Sequence, residues 1–182
     1  MDALMLFASM MFVICAVANG QETTIQKNFS ATGITITYRL KLYAPPYVFK
    51  KNDAMLNQAS VLHCSHLFYS KLAEGNIAEA AAVSDNPEKV KAKFTRFTER
   101  VGKDEFLKLF GGYFSGTAEA RAELTIGNHT MLVIYDSGNK MFMGQMYAKE
   151  KSQYVVAERE HKDLDQLGRL LSALQDGALT LK

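Results

Sequence analysis

The spacing of apolar residues changes period twice along the chain, and those two changes limit what it can fold into. From Gly33 onward, Ile34, Ile36, Tyr38, Leu40 and Leu42 alternate with Thr35, Thr37, Arg39 and Lys41, the two-residue period of a half-buried strand. The same period returns where Ala118, Ala120, Ala122, Leu124 and Ile126 alternate with Glu119, Arg121, Glu123 and Thr125. Between these stretches the apolar residues recur at helical spacing. A chain that reads strand, helices, strands and a last helix is an α+β domain, with helices expected on one face of a curved antiparallel sheet.

Local signals refine that order. Neither Pro45 nor Pro46 can donate to a ladder, so the first strand is expected to end there. Asp53 can cap a long helix reaching Glu74 and stopped by Gly75-Asn76. On it Met55, Ala59, Leu62, His66, Tyr69 and Ala73 share one stripe, while Val61, Phe68 and Leu72 fall on another side. A helix apolar over so much of its circumference is central. A short helix, Ile77 to Val83, follows. Asn86-Pro87-Glu88 then starts a third, with a cap, a proline at the first helical position and an acid in the first turn. Its Val90, Phe94, Phe97 and Val101 point inward, and Lys89, Lys91, Lys93, Arg96 and Arg100 make a solvated face. A further helix, Asp104 to Phe110, is closed by Gly111-Gly112.

Gly127-Asn128 and Asp136-Ser137-Gly138-Asn139 are short turns, so the strands after Ala118 form an antiparallel meander ending at Gln153 to Glu158. The small alanines of its first strand predict close approach of a helix. The last helix carries Leu164, Leu167, Leu171 and Leu174 on one stripe, with Asp163 as its cap.

Leu4 to Ala18 holds no charged residue and is shorter than the roughly 20 residues that span a bilayer. With Ala16-Val17-Ala18 behind it, this run reads as a cleavable secretory signal, cut after Ala18 or Gly20. Residues 1–20 are therefore expected to be a signal peptide, 21–31 a flexible leader and 32–182 a single domain. The expected location is periplasmic or secreted, with no membrane attachment after cleavage. Ile14 before Cys15 argues against lipidation. Without the leader, Cys64 is the only cysteine, so no internal disulfide forms and the hydrophobic core must hold the fold. The leader's one charged residue is Asp2, so its loss moves the net charge from +2 to +3. Basic and acidic residues are interspersed, which gives no nucleic-acid footprint.

A helical front followed by an antiparallel meander resembles the NTF2-like, or cystatin-like, superfamily. His63 to Phe114 carries the resemblance best, through HLFYSKLAEGNIAEAAAVSDNPEKV (His66 to Val90), where a long helix leads into a small-residue segment. The resemblance implies a cone-shaped pocket between that helix and the sheet. Since such folds host dehydratases, isomerases, transport factors and inert domains, it implies no single activity. Homodimerisation through a sheet face is another expectation it brings.

His66, mid-stripe between Leu62 and Tyr69, is the residue that could meet a ligand in such a cone. A partly buried histidine can act as acid or base near neutral pH. Tyr69 or Tyr38 would then donate a hydrogen bond. The bland alternative is a core histidine bonded to a carbonyl or a tyrosine. His63 and His66 are close enough on a helix to share an ion, yet lack a third ligand nearby. Met141, Met143 and Met146 resemble a copper-binding methionine run, but strand alternation turns Met146 away from the other two. Leu62, Met131, Met141 and Met143 read instead as adaptable apolar lining for a pocket or core. Cys64 is expected to be a buried structural thiol. Asn28-Phe29-Ser30 and Asn128-His129-Thr130 are glycosylation sequons that matter only in a eukaryotic secretory pathway.

No nucleophile triad, phosphate loop or paired-carboxylate spacing is present, and the sequence reading assigns no cofactor and no metal. Two functions fit. One is an exported noncatalytic binding or interaction domain for a small apolar ligand or a protein partner. The other is a small dehydratase- or isomerase-type enzyme using His66.

Overall fold

The computed structural model describes residues 22–29, 34–51 and 53–181; the expected signal peptide lies outside them. Six strands form one antiparallel sheet in sequential order: β1 (Glu22–Phe29), β2 (Ile34–Val48), β3 (Ala118–Ile126), β4 (His129–Asp136), β5 (Met141–Glu150) and β6 (Gln153–Val156). Between β2 and β3 come α1 (Val61–Ala73), α2 (Ile77–Ala82), α3 (Pro87–Val101) and α4 (Lys103–Gly112), and α5 (Lys162–Gln175) follows β6. The α+β class and the C-terminal helix are as the sequence order demands. Among the described residues no helix is long and apolar enough to cross a membrane.

Several boundaries differ from the sequence reading. Glu22–Phe29, expected to be part of a flexible leader, is β1, paired with β2 along its whole length. Long helix α1 begins at Val61, not near Asp53. Ser60 caps it by accepting from the His63 N–H at 3.1 Å, while Asp53–Met55 forms only a 3-10 turn. For α5 the cap is His161, whose Nδ1 accepts from the Asp163 N–H, where Asp163 itself was expected. Asn86 and Pro87 start α3 as their sequence signature requires.

Nor do the helices cover a single face. Helices α1 to α4 bury Val61, Phe68, Leu72, Val90 and Phe106 with Leu132, Ile134 and Tyr147 on one face. On the other, α5 lies across β3, β4 and β5 and buries Leu167, Leu170 and Leu174 with Met131 and Val133. The sheet is therefore a middle layer, and β4, with Thr130 to Ile134 all buried, is its most enclosed strand.

A bulge controls which side chains reach which face. Leu42 pairs with Ala122 and Tyr47 with Ala120, so Tyr43 to Pro46 stand opposite Arg121 alone. On the other edge of β3, Ala120 pairs with Ile134 and Ala122 with Val133, which leaves Arg121 as an extra residue. An extra residue shifts the phase of the pleat. Ala118 and Ala120 accordingly pack on the α1 face, and Ala122 and Leu124 on the α5 face. The unbroken alternation of β3 in sequence predicts one shared face, and the bulge overturns that. Likewise Ile36, Tyr38 and Leu40 face α5, while Tyr43 and Phe49 face α1. The two prolines skip the ladder without ending the strand.

Candidate binding groove

The residues singled out in the sequence do not converge. His66 is 1% exposed, ringed by Tyr47, Phe49 and Phe114. Its Nε2 lies 3.1 Å from the Lys50 carbonyl and 3.4 Å from the Tyr47 hydroxyl, and its Nδ1 lies 3.4 Å from the Leu62 carbonyl. Burial lowers its pKa, with the two carbonyls pulling the other way. It is a core histidine, set between α1 and the end of β2. Tyr38 is buried beneath α5, on the opposite face of the sheet.

Tyr69 stacks on Tyr113 with ring centroids 4.0 Å apart, and its hydroxyl donates to Gln145 at 3.2 Å. Burial pushes the Tyr69 hydroxyl pKa upward. Of the expected ligand-contacting residues, Tyr69 and Met143 share one groove with Gln145 and Tyr113, of about 680 Å³. Met131 is fully buried on the α5 face, Leu62 packs at the margin of the α1 core, and Met141 is exposed. The cone-shaped cavity expected between α1 and the sheet is filled by side chains where His66 stands.

His63 Nδ1 meets Asn57 Oδ1 at 2.9 Å, so His63 and His66 are committed to different partners. Cys64 is fully buried, and burial raises its thiol pKa to about 12. Asn128 is exposed at the β3–β4 turn, while the side chain of Asn28 lies outside the described ones.

A second groove, of about 700 Å³, opens where the bulge meets the chain after α5. Leu42, Pro45, Pro46, Phe142, Leu179 and Leu181 supply much of its apolar wall. Tyr43 and Tyr135 flank it, and among the described residues Arg121 is the only charged one lining it. The Tyr43 hydroxyl is turned to Glu123, which also receives Lys41 Nζ at 3.1 Å. Arg121 lies over the Tyr135 ring at 5.2 Å and pairs through Nη2 with Glu119 at 2.5 Å. Its Nε is buried with no hydrogen-bond partner among the described residues. The side chain as a whole is 37% exposed, so Arg121 is only partly enclosed. Sequence reading missed this groove. The sequence carries no separate signal for it, since Arg121 alternates with alanines just as Glu119 and Glu123 do.

The described residues also hold one donor set suited to a metal: His129, His161 and Asp163, whose ligand atoms lie within 4.8 Å of one another. The pairing of His63 with His66 directed attention elsewhere. His129 starts β4 and the other two open α5, so only the packing of α5 on the β3–β4 hairpin brings them together.

Compared with protein-family models, with curated proteins and with solved structures, the chain matches none.

Proposed function

We propose that this chain is an exported, noncatalytic binding domain whose ligand is a small amphiphile with an anionic head and an apolar body. The partly exposed Arg121, the one charged side chain among the described lining residues of an otherwise apolar groove, carries this reading. A volume of about 700 Å³ falls in the range of small-molecule sites, roughly 300–1,000 Å³. The apolar body would lie against Phe142, Leu179 and Leu181, and a carboxylate head would accept from Arg121. Export rests on the uncharged Leu4 to Ala18 run and the A-x-A site behind it. The NTF2-like or cystatin-like assignment belongs to the same proposal, supported by the order of helices before an antiparallel meander.

The enzyme alternative needs an acid-base group that substrate can reach. His66, with both ring nitrogens against protein acceptors and 1% exposure, favours the binding reading.

Calorimetric titration with dodecanoate, using dodecanol as the uncharged control, tests the proposal. A hydrogen bond to a charged partner contributes about 1.5–3 kcal/mol, so Arg121→Gln should weaken dodecanoate by roughly 10–100-fold and leave dodecanol unchanged. Absence of dodecanoate binding, or equal binding by the variant, refutes it.

A further inference from the structure

At the far end of α5 from the amphiphile groove, three side chains from two separated segments meet. The groove takes Leu174 and the residues after it, whereas His161 caps the first turn of α5 and Asp163 lies within that turn. With a rise of about 1.5 Å per residue, the two places are roughly 20 Å apart along the helix.

His129 Nδ1 lies 3.1 Å and His161 Nδ1 3.3 Å from the same atom, Asp163 Oδ2. The two imidazoles stack with centroids 4.3 Å apart and planes 29° from parallel. Gly127, at φ +57°, makes the approach sterically open: a Cβ there would stand 2.7 Å from Asp163 Oδ2. The turn before β4 thus admits the carboxylate beside His129.

His161 Nδ1 accepts from the Asp163 N–H at 3.2 Å and lies 3.3 Å from the Asp163 carboxylate. Coordination of a cation through His161 Nδ1 uses the same lone pair, so ion binding exchanges that capping hydrogen bond for a metal bond.

We infer that His129, His161 and Asp163 bind a divalent transition-metal ion of the zinc class. Two nitrogens and one oxygen are the donor set that borderline ions such as Zn²⁺ accept, with three protein ligands and one open position. At bond lengths of about 2.0–2.2 Å, neighbouring ligands of a tetrahedral ion sit about 3.3 Å apart, and the two nitrogen–oxygen separations already match. The helix dipole, roughly half a unit charge at the start of α5, opposes a cation, but the full charge of Asp163 outweighs it. His161 is exposed and Asp163 buried, so an ion enters from the solvent side.

The test is calorimetric titration of the chelator-treated, full-length protein with ZnCl₂ at pH 7.5. One ion per chain is expected. His161→Asn keeps a good helix cap while removing the imidazole, and Asp163→Asn removes the charge. Each should weaken Zn²⁺ by more than the roughly 10–100-fold that loss of a supporting partner outside the ligand set costs. His63→Ala, a histidine away from the cluster, should bind as the parent does. Absence of saturable binding, or binding that survives either His161→Asn or Asp163→Asn, overturns the inference. Neither outcome bears on dodecanoate, whose groove lies at the other end of the helix.

Discussion

Arg121 lies over the ring of Tyr135 at 5.2 Å, and it is the residue that the bulge leaves unpaired on both edges of β3. One irregularity thus has two consequences: it swaps the alanines of β3 between faces and it sets a cation at the wall of an apolar groove. Deleting Arg121 should remove the cation but keep the faces, because Ala120 then neighbours Ala122 and a regular pleat still sends them to opposite sides. Loss of no more than about 3 kcal/mol of stability is therefore expected, against less than about 2 kcal/mol for Arg121→Gln. Denaturant unfolding of the two variants measures the difference.

Gly144 on β5 allows α5 to sit close to the sheet. A Cβ at this position would come within 2.7 Å of Met131 Sδ and 2.9 Å of Leu171 Cδ2. Gly144→Ala must displace a buried methionine or push the helix outward. Overpacking of this kind costs about 1–3 kcal/mol, and a lowered urea midpoint with an unchanged slope would report it.

His66 gives a pH dependence whose sign is fixed by its surroundings. Burial is the larger influence and holds its pKa below the ordinary value of 6.5. In the unfolded chain the imidazole takes up a proton near its ordinary value, while in the native protein it does so only at lower pH. The stability it contributes is therefore complete above pH 6.5 and is lost as pH falls through and below that value. Unfolding free energies at pH 7.5 and 5.5 should differ less in His66→Gln than in the parent. NMR titration of the native imidazole should give a midpoint below 6.5.

The thiol of Cys64 should be inert in the native state. It is fully buried on α1 with its pKa raised to about 12, so almost no thiolate exists at neutral pH. A disulfide reagent at pH 7.5 should label it only at the rate of unfolding, and at once in denaturant. Prompt labelling of the folded protein would contradict the packing of α1.

Much of the element order was legible because each element carries its own local signal. Asn86-Pro87 and Gly127-Asn128 needed no tertiary information. The start of α1 was misplaced because Asp53 and Ser60 are both competent caps, and only packing selects the second. Strand β1 was missed because an edge strand with Thr23, Thr24 and Gln26 exposed shows little apolar alternation. The face swap in β3 leaves no trace in sequence, since Ala118 to Leu124 alternate without a break on both sides of the bulge. The same limit hid the sites. Arg121 needs the bulge of β2 opposite it, and His129 needs α5 folded back onto its hairpin, whereas His66 drew attention through its helical stripe alone.

The claim that the bulge groove is the ligand site is tested most directly by the NMR signal of the Arg121 Nε–H. On addition of dodecanoate that resonance should move downfield and saturate, together with signals from Tyr135, Phe142 and Leu179, while those of Tyr69 and Met143 stay in place. Shifts confined to Tyr69 and Met143, or an unchanged Arg121 resonance at saturating dodecanoate, would contradict it.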